Sequence, residues 1–290
     1  MNWLLDPLQY AFMQRGLLAA LMVGVLCSVV GSYVVLRSMA FLGDALAHAV
    51  LPGIAIAYLL GGSLTVGALA AALVVALGIG FFSRQGSIKE DTAIGILFAA
   101  ALALGVALIS TIRTYAVDLS HILFGNVLGV SSSDLWITGI LGMVTLLVVV
   151  VFYRQFLVVS FDPVLAATLR LRVGLLRNLM LILLGWTVVV SIQTVGVGLA
   201  AAMLVTPAAA AYLLTRRLPA MMAVSALIGA FSSLTGLYIS YYANIVSGSA
   251  VVLVATLVFL LAFLFAPRRG LITQAWQRRQ PHPAAPSAKA

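Results

Sequence analysis

Long apolar stretches recur along nearly the whole 290-residue chain, and they constrain its fold more than any other feature. Each has about 18 to 20 residues, which is enough to cross a hydrocarbon core of roughly 30 Å as a helix. The composition agrees, because 63% of the residues are hydrophobic, 8% are charged and the mean hydropathy is +1.19. The sequence therefore predicts an all-α membrane protein, a polytopic bundle of eight or nine transmembrane helices.

Nine segments are the candidate spans. They run approximately over residues 16–36, 41–60, 64–82, 92–111, 135–152, 178–197, 199–215, 220–241 and 248–266. The ambiguous region is 193–207, where Gly196 and Pro207 allow either a loop between two helices or one broken helix.

Positive charge separates the two sides of the predicted membrane. If the loop at Arg37 faces the cytoplasm and nine segments alternate from there, all 16 lysines and arginines except Arg15 and Arg113 fall inside. Because basic residues are retained on the cytoplasmic side, we expect an external amino terminus and a cytoplasmic carboxyl terminus. This topology accounts for the net charge of +9, so no nucleic-acid partner is predicted.

Short connections predict that residues 1–267 form one transmembrane domain. An external stretch, 112–134, is amphipathic and suits a surface helix or a re-entrant segment. His121 within it is interpreted as a surface residue. Residues 268–290 are basic and then rich in proline and alanine, which predicts a disordered cytoplasmic tail.

A second stretch outside the predicted spans, 154–177, lies on the cytoplasmic side. Asp162 is placed to cap a short helix that starts at Pro163, since a carboxylate accepts unpaired helix amides and proline fits the first turn. We expect this helix to lie outside the membrane.

Asp44 is the only one of the seven carboxylates that falls within a predicted span. A charged side chain there costs on the order of 2.5 to 3.5 kcal/mol, so a functional role is expected. His48 lies one turn further on the same helical face. Counted from Arg37, the two lie about 10 Å and about 16 Å into the bilayer. Pro52 removes a backbone hydrogen bond at this depth, which predicts a kink or break.

A carboxylate oxygen and an imidazole nitrogen suit Mn²⁺, Fe²⁺ or Zn²⁺ better than an organic solute. Asp44 and His48 are therefore interpreted as half of a ligand set for a transported divalent cation. The alternatives are that Asp44 anchors a neighbouring helix or carries a proton, and that His48 is a packing residue.

The chain contains no phosphate-binding loop, because neither Lys89 nor Lys289 has the required glycines before it or Ser or Thr after it. Energy must come either from a separate ATPase or from an ion gradient. In the second case the chain is a secondary metal transporter with Asp44 as the proton carrier, but the inverted repeats usual in such folds are not evident. The chain is not predicted to be an enzyme, since it shows no activated nucleophile.

Four motifs in order resemble one family, the permease subunits of the manganese, zinc and iron ABC importers. The motifs are RSMAFLGDALAHAVLPG (37–53), HILFGNVLGVSSSDLW (121–136), FDPVLAATLRL (161–171) and LVTPAAAAYLLTRRL (204–218). The resemblance covers about 14–271. It implies a bacterial cytoplasmic membrane protein that works with a second permease chain, expected to be a copy of the first, two cytoplasmic ATPase subunits and an external metal-binding protein.

The resemblance also implies residue roles. Asp44 and His48 look like the metal ligands of the translocation path, and the segment around Asp162, Pro163 and Ala166 looks like the coupling helix that docks on the ATPase. Many relatives have glycine where this chain has Arg170, and a basic residue there could face the ATPase. The LPG sequence after His48 is closer to manganese and iron members than to zinc members, so manganese is favoured, followed by zinc or iron.

Overall fold

The computed structural model describes residues 6–84, 89–111, 127–267 and 270, and every regular element in these ranges is helical. The α-helices are α1 (Ala11–Leu36), α2 (Phe41–Ala49), α3 (Leu51–Leu59), α4 (Leu64–Arg84), α5 (Glu90–Ser110), α6 (Ser132–Val151), α7 (Tyr153–Phe161), α8 (Pro163–Thr168), α9 (Val173–Val195), α10 (Val197–Leu214), α11 (Leu218–Ala243) and α12 (Ser247–Phe265). Short 3₁₀ turns lie at Pro7–Gln9 and Val127–Gly129.

Nine helical segments among the described residues are long and apolar enough to cross a membrane, with α2 and α3 counted together as Phe41–Leu59. The predicted all-α membrane fold is confirmed, and the count agrees with the nine-segment alternative. Most of the external stretch, including His121, and all of the predicted tail except Gly270 lie outside the described residues.

The ambiguous region 193–207 contains two helices that meet at a single residue. Gly196 separates α9 from α10 and has a φ of 86°, which glycine adopts without the steric cost that a Cβ atom brings. Pro207 lies inside α10 and does not end it. The interruption between α9 and α10 therefore lies at Gly196 and not at Pro207.

Helix α1 runs through the interior of the bundle and packs against α6, α9, α10 and α11. Its contact with α10 is close, because a Cβ atom at Gly31 would lie 1.7 Å from the carbonyl oxygen of Leu204. Hydroxyl groups of α11 also donate to carbonyls of α1, from Ser225 to Ser28 and from Ser233 to Ala20, both at 2.9 Å. Small residues and interhelical hydrogen bonds of this kind hold helices together in lipid.

The remaining helices place α2 and α3 at the side of this frame. Helix α2 packs on α5, α9 and α10, whereas α3 packs on α4 and α5. The buried side of α2 is apolar and includes Leu42, Ala45 and Leu46. The polar residues of α2 consequently lie on its other side.

The stretch 154–177, predicted to be cytoplasmic, contains more helix than the sequence predicts. The short helix that begins at Pro163 is confirmed as α8. Helix α7, which was not predicted, precedes it, and only Phe152 separates α7 from α6. Helix α9 begins at Val173, earlier than the apolar pattern indicates, since its first two turns include polar residues.

Candidate functional site

Asp44 and His48 lie together on the outward side of α2. The Nε2 atom of His48 is 3.6 Å from Oδ1 of Asp44, as expected for residues one turn apart on a helix. The two side chains lie close together, and their role as metal ligands stays a prediction. Their distance allows both to contact one small cation placed between them.

The two side chains are open to one side of the chain. Asp44 is 47% exposed and His48 is 29% exposed, although both belong to a segment with the length and hydropathy of a membrane span. Because lipid would be an unfavourable neighbour for a carboxylate, this side of α2 must face a wet path or another protein surface.

Aromatic residues border the pair. The ring of Phe98, on α5, lies edge-on to the ring of His48, with centroids 6.1 Å apart. Phe41, at the start of α2, contacts the same Phe98 ring with centroids 5.5 Å apart. Helix α5 therefore limits how far the His48 ring can turn.

The helix is interrupted directly after the pair. Val50 separates α2 from α3, and Pro52 is the second residue of α3. Proline has no N–H group to donate to the carbonyl of His48, four residues earlier. The predicted break is confirmed two residues before Pro52, and the His48 carbonyl there accepts from the amide of Val50 in place of its usual helical donor.

The described residues contain no group of three or more histidine, cysteine, aspartate or glutamate side chains that could hold a metal ion. Asp44 and His48 therefore contribute two side-chain ligands within the described part of one chain. Divalent transition metals take four or more ligands, so the others must come from elsewhere.

The predicted coupling segment has a well-defined turn at each end of α8. At the start, Oδ1 of Asp162 accepts hydrogen bonds from the amides of Val164 and Leu165, both at 2.9 Å, and Pro163 is the first helical residue. The predicted capping role of Asp162 is confirmed. Ala166 is fully buried, so it fixes α8 against the rest of the chain.

Arg170 occupies the special position at the end of α8. Its φ is 57°, in the left-handed region. Its amide donates to the carbonyl of Ala167 at 3.0 Å, and the amide of Leu171 donates to that of Ala166 at 3.1 Å. This pair of bonds is the Schellman motif, in which glycine is the usual residue. The residue that departs from the family pattern therefore lies where a side chain strains the backbone.

The structure also brings together a cluster of charged residues, of which only the arginines contribute to the predicted topology. Glu90, the first residue of α5, accepts from Nη2 of Arg37 at 3.1 Å and from Nε of Arg177 at 3.0 Å. Arg177 also donates to the hydroxyl of Ser83 on α4. We call Arg37, Glu90 and Arg177 the cytoplasmic-end cluster. Burial lowers the pKa of Arg37, and the neighbouring Glu90 opposes that effect.

No sequence signal identifies the cytoplasmic-end cluster, because its members are far apart in the chain and each is unremarkable beside a membrane span. Only the packing of α4, α5 and α9 with the α1–α2 junction brings them together.

Comparison with known proteins gives consistent matches over almost the whole chain. The family model described as the ABC 3 transport family matches residues 9–266. The manganese transport system membrane protein MntC of Halalkalibacterium halodurans is 47% identical over 94% of both chains. The manganese import system permease protein ScaB of Streptococcus gordonii is 42% identical over 90% of this chain and 93% of its own.

A solved structure agrees with the fold. PsaBC from Streptococcus pneumoniae in complex with Fab contains a chain that superposes with a TM-score of 0.83 at 40% identity, covering 94% of this chain and 98% of that one.

Proposed function

The chain belongs to the ABC 3 transport family, and on this basis we propose that it is the transmembrane permease subunit of an ATP-driven importer of divalent transition-metal cations. Manganese is the favoured cargo, followed by zinc or iron, since the relatives reported above are named for manganese transport. The observation that carries the proposal is the Asp44 and His48 pair, open to one side of a membrane-span helix.

In this proposal Asp44 and His48 bind the partly dehydrated cation at mid-membrane. The carboxylate replaces a water molecule and compensates charge, and the neutral imidazole supplies a nitrogen ligand. The His48 carbonyl beside Pro52 supplies a further oxygen donor.

A second copy of the chain completes the site. A twofold axis on the open side of α2 would bring two aspartates and two histidines to one pathway. Four such ligands suit zinc, whereas manganese or iron would add water or carbonyl oxygens. The open side of Asp44, at 47% exposure in the single chain, supports this arrangement.

Helix α8 is the proposed contact with a cytoplasmic ATPase subunit, one for each permease chain. Its exposed apolar residues Val164 and Leu165 point away from the buried Ala166, and Leu169 extends the same surface. Asp162 and Pro163 hold the start of α8 in shape, and Arg170 presents a positive charge at its end. An external metal-binding protein would deliver the cation to the opposite side.

The first test replaces the two proposed ligands. We expect Asp44→Asn and His48→Ala each to reduce cellular manganese accumulation to the level of cells without the transporter, because each removes one donor from a small site. Asp91→Asn, which changes an exposed carboxylate on α5, is the control and should accumulate manganese normally. Normal accumulation by both site variants, with normal membrane insertion, would refute the ligand assignment.

The second test asks where the energy comes from. Manganese uptake should stop when the partner ATPase carries a catalytically inactive site. Uptake that continues would instead support a secondary transporter in which Asp44 carries a proton.

A further inference from the structure

The cytoplasmic-end cluster joins four elements that are separate in sequence. Arg37 lies at the α1–α2 junction, Glu90 begins α5, Arg177 lies in the second turn of α9, and Ser83 lies near the end of α4. The side chains of the three charged residues are only 12 to 21% exposed. Ion pairs this far from solvent are screened less than surface pairs, so a change in one member affects the others.

The two helices that border the proposed metal site, α2 and α5, both begin at this cluster. Helix α2, with Asp44 and His48, begins shortly after Arg37. Helix α5 begins with Glu90 and carries Phe98, whose ring contacts both His48 and Phe41. If Glu90 moves relative to Arg37, helix α5 moves with it. Phe98 on the same helix is then displaced relative to Asp44 and His48.

The third member of the cluster leads to the coupling segment. Helix α9, with Arg177, follows α8 after the four residues 169–172, and it also packs on α7 and α8. A movement of α8 by a docked ATPase would consequently reach Arg177 through α9. The cluster thus lies on the direct structural route between the coupling segment and the metal site.

The hydrogen bonding of Arg37 indicates that this cluster has a second arrangement. Glu90 gives one oxygen to each arginine, Oε2 to Arg37 and Oε1 to Arg177. Among the described residues, Nη1 of Arg37 is buried and has no hydrogen-bond partner. A carboxylate can instead take both terminal nitrogens of one arginine, which is the stronger geometry. Glu90 would then satisfy Nη1 of Arg37 and release Arg177.

We propose that Glu90 is the positioning residue that transmits movement of the coupling segment to the metal site. Its carboxylate exchanges between two arrangements, one in which Arg37 and Arg177 share it and one in which Arg37 alone binds it. This inference rests on the proposed function and adds the route by which the ATPase acts on the cation. A coupling route requires a two-state element that both sites influence, and the two arrangements of Glu90 would be that element.

The test uses the complete transporter, purified with its ATPase partner and reconstituted in lipid vesicles. Glu90→Gln keeps the shape of the side chain and removes its charge. We expect ATP-dependent Mn²⁺ uptake to fall at least about tenfold, a size typical of lost coupling between sites. ATP hydrolysis by the same complex should stay within about twofold of wild type, and Mn²⁺ binding in the absence of ATP should be unchanged.

Two further variants separate coupling from folding. Asp91→Asn removes the neighbouring carboxylate in the same first turn of α5, so it controls for the helix dipole and should transport normally. The double variant Glu90→Gln with Arg37→Gln removes the buried cation that the single change leaves unpaired. If Glu90→Gln lowers the yield of assembled complex, the double variant should bring the yield back to the wild-type level. Its ATP hydrolysis should still not drive Mn²⁺ uptake.

Three results would overturn the inference: normal uptake by Glu90→Gln, a parallel loss of uptake and hydrolysis, or recovery of uptake in the double variant. The last two would make the cluster purely structural. Failure of the proposed function is distinguishable, because it would appear as uptake without ATP in the wild-type complex or as normal uptake by the Asp44→Asn variant.

Discussion

At the scale of single residues, the informative positions are those whose local conformation or solvation is costly. Asp44 is a carboxylate in an apolar span, and Arg170 is a side chain in the left-handed region. Under the proposed function, the first cost is explained by a cation that needs a negative ligand. The second falls in the turn after α8, which is closed by backbone hydrogen bonds from the amides of Arg170 and Leu171.

Replacing Arg170 with glycine should stabilise the end of α8. The left-handed conformation costs an L-residue about 1 kcal/mol or more, which glycine avoids. Amide hydrogen exchange of Arg170→Gly in detergent should show about fivefold slower exchange at residues 170 and 171 if these amides open locally.

Arg172→Gly is the matched control, because Arg172 is an exposed arginine two residues further on with a φ of −77°. Glycine offers no advantage there, so exchange should be unchanged or faster. Equal slowing in both variants would show that charge, and not backbone strain, determines the stability of this turn.

At the scale of elements, close contacts between glycines fix the helices around the site. Gly53 on α3 and Gly67 on α4 face each other, and a Cβ atom on either would lie within about 2 Å of the carbonyl oxygen of the other. Such an approach holds α3 at a set distance from α4, directly beyond the break at Val50. The orientation of α2 therefore depends on a contact made by the helix that follows it.

Gly53→Ala should destabilise the protein by about 1 to 3 kcal/mol, since the added methyl group forces α3 and α4 apart. Thermal unfolding in detergent should show a lower midpoint. The control is Gly95→Ala on α5, where an added Cβ meets nothing within 4 Å. That change should be neutral or slightly stabilising, because alanine favours helix more than glycine does. A similar loss in both variants would mean that the close approach of α3 and α4 is not what makes Gly53 necessary.

At the scale of the whole molecule, the distribution of charge and the helix count give the same orientation. Nine crossings would place the two termini on opposite sides, and from the positive-inside rule we expect α8 and the cytoplasmic-end cluster on the cytoplasmic side. The coupling segment and the cluster then share the side on which an ATPase would bind.

Cysteine labelling tests this orientation. The natural cysteine, Cys27, is fully buried, and Cys27→Ser removes it from the background. In that background, Ser132→Cys at the start of α6 should react with a membrane-impermeant thiol reagent in spheroplasts. Thr168→Cys at the end of α8 should react only in inverted vesicles, because both positions are exposed but lie on opposite sides. The reverse pattern would contradict the proposed topology.

The sequence determined the membrane fold with eight or nine spans, the placement of Asp44 and His48 one turn apart, the break near Pro52 and the cap at Asp162. All of these follow from local patterns: hydropathy over one helix length, spacing of one turn, or a residue beside the helix end that it caps. The tertiary structure alone decided that Gly196 joins two helices, that α7 precedes the coupling helix, and that Arg170 adopts a left-handed conformation. It alone brought Arg37 and Arg177 to Glu90. Contacts between residues so distant in the chain depend on how helices pack, and hydropathy does not encode which charged ends will meet.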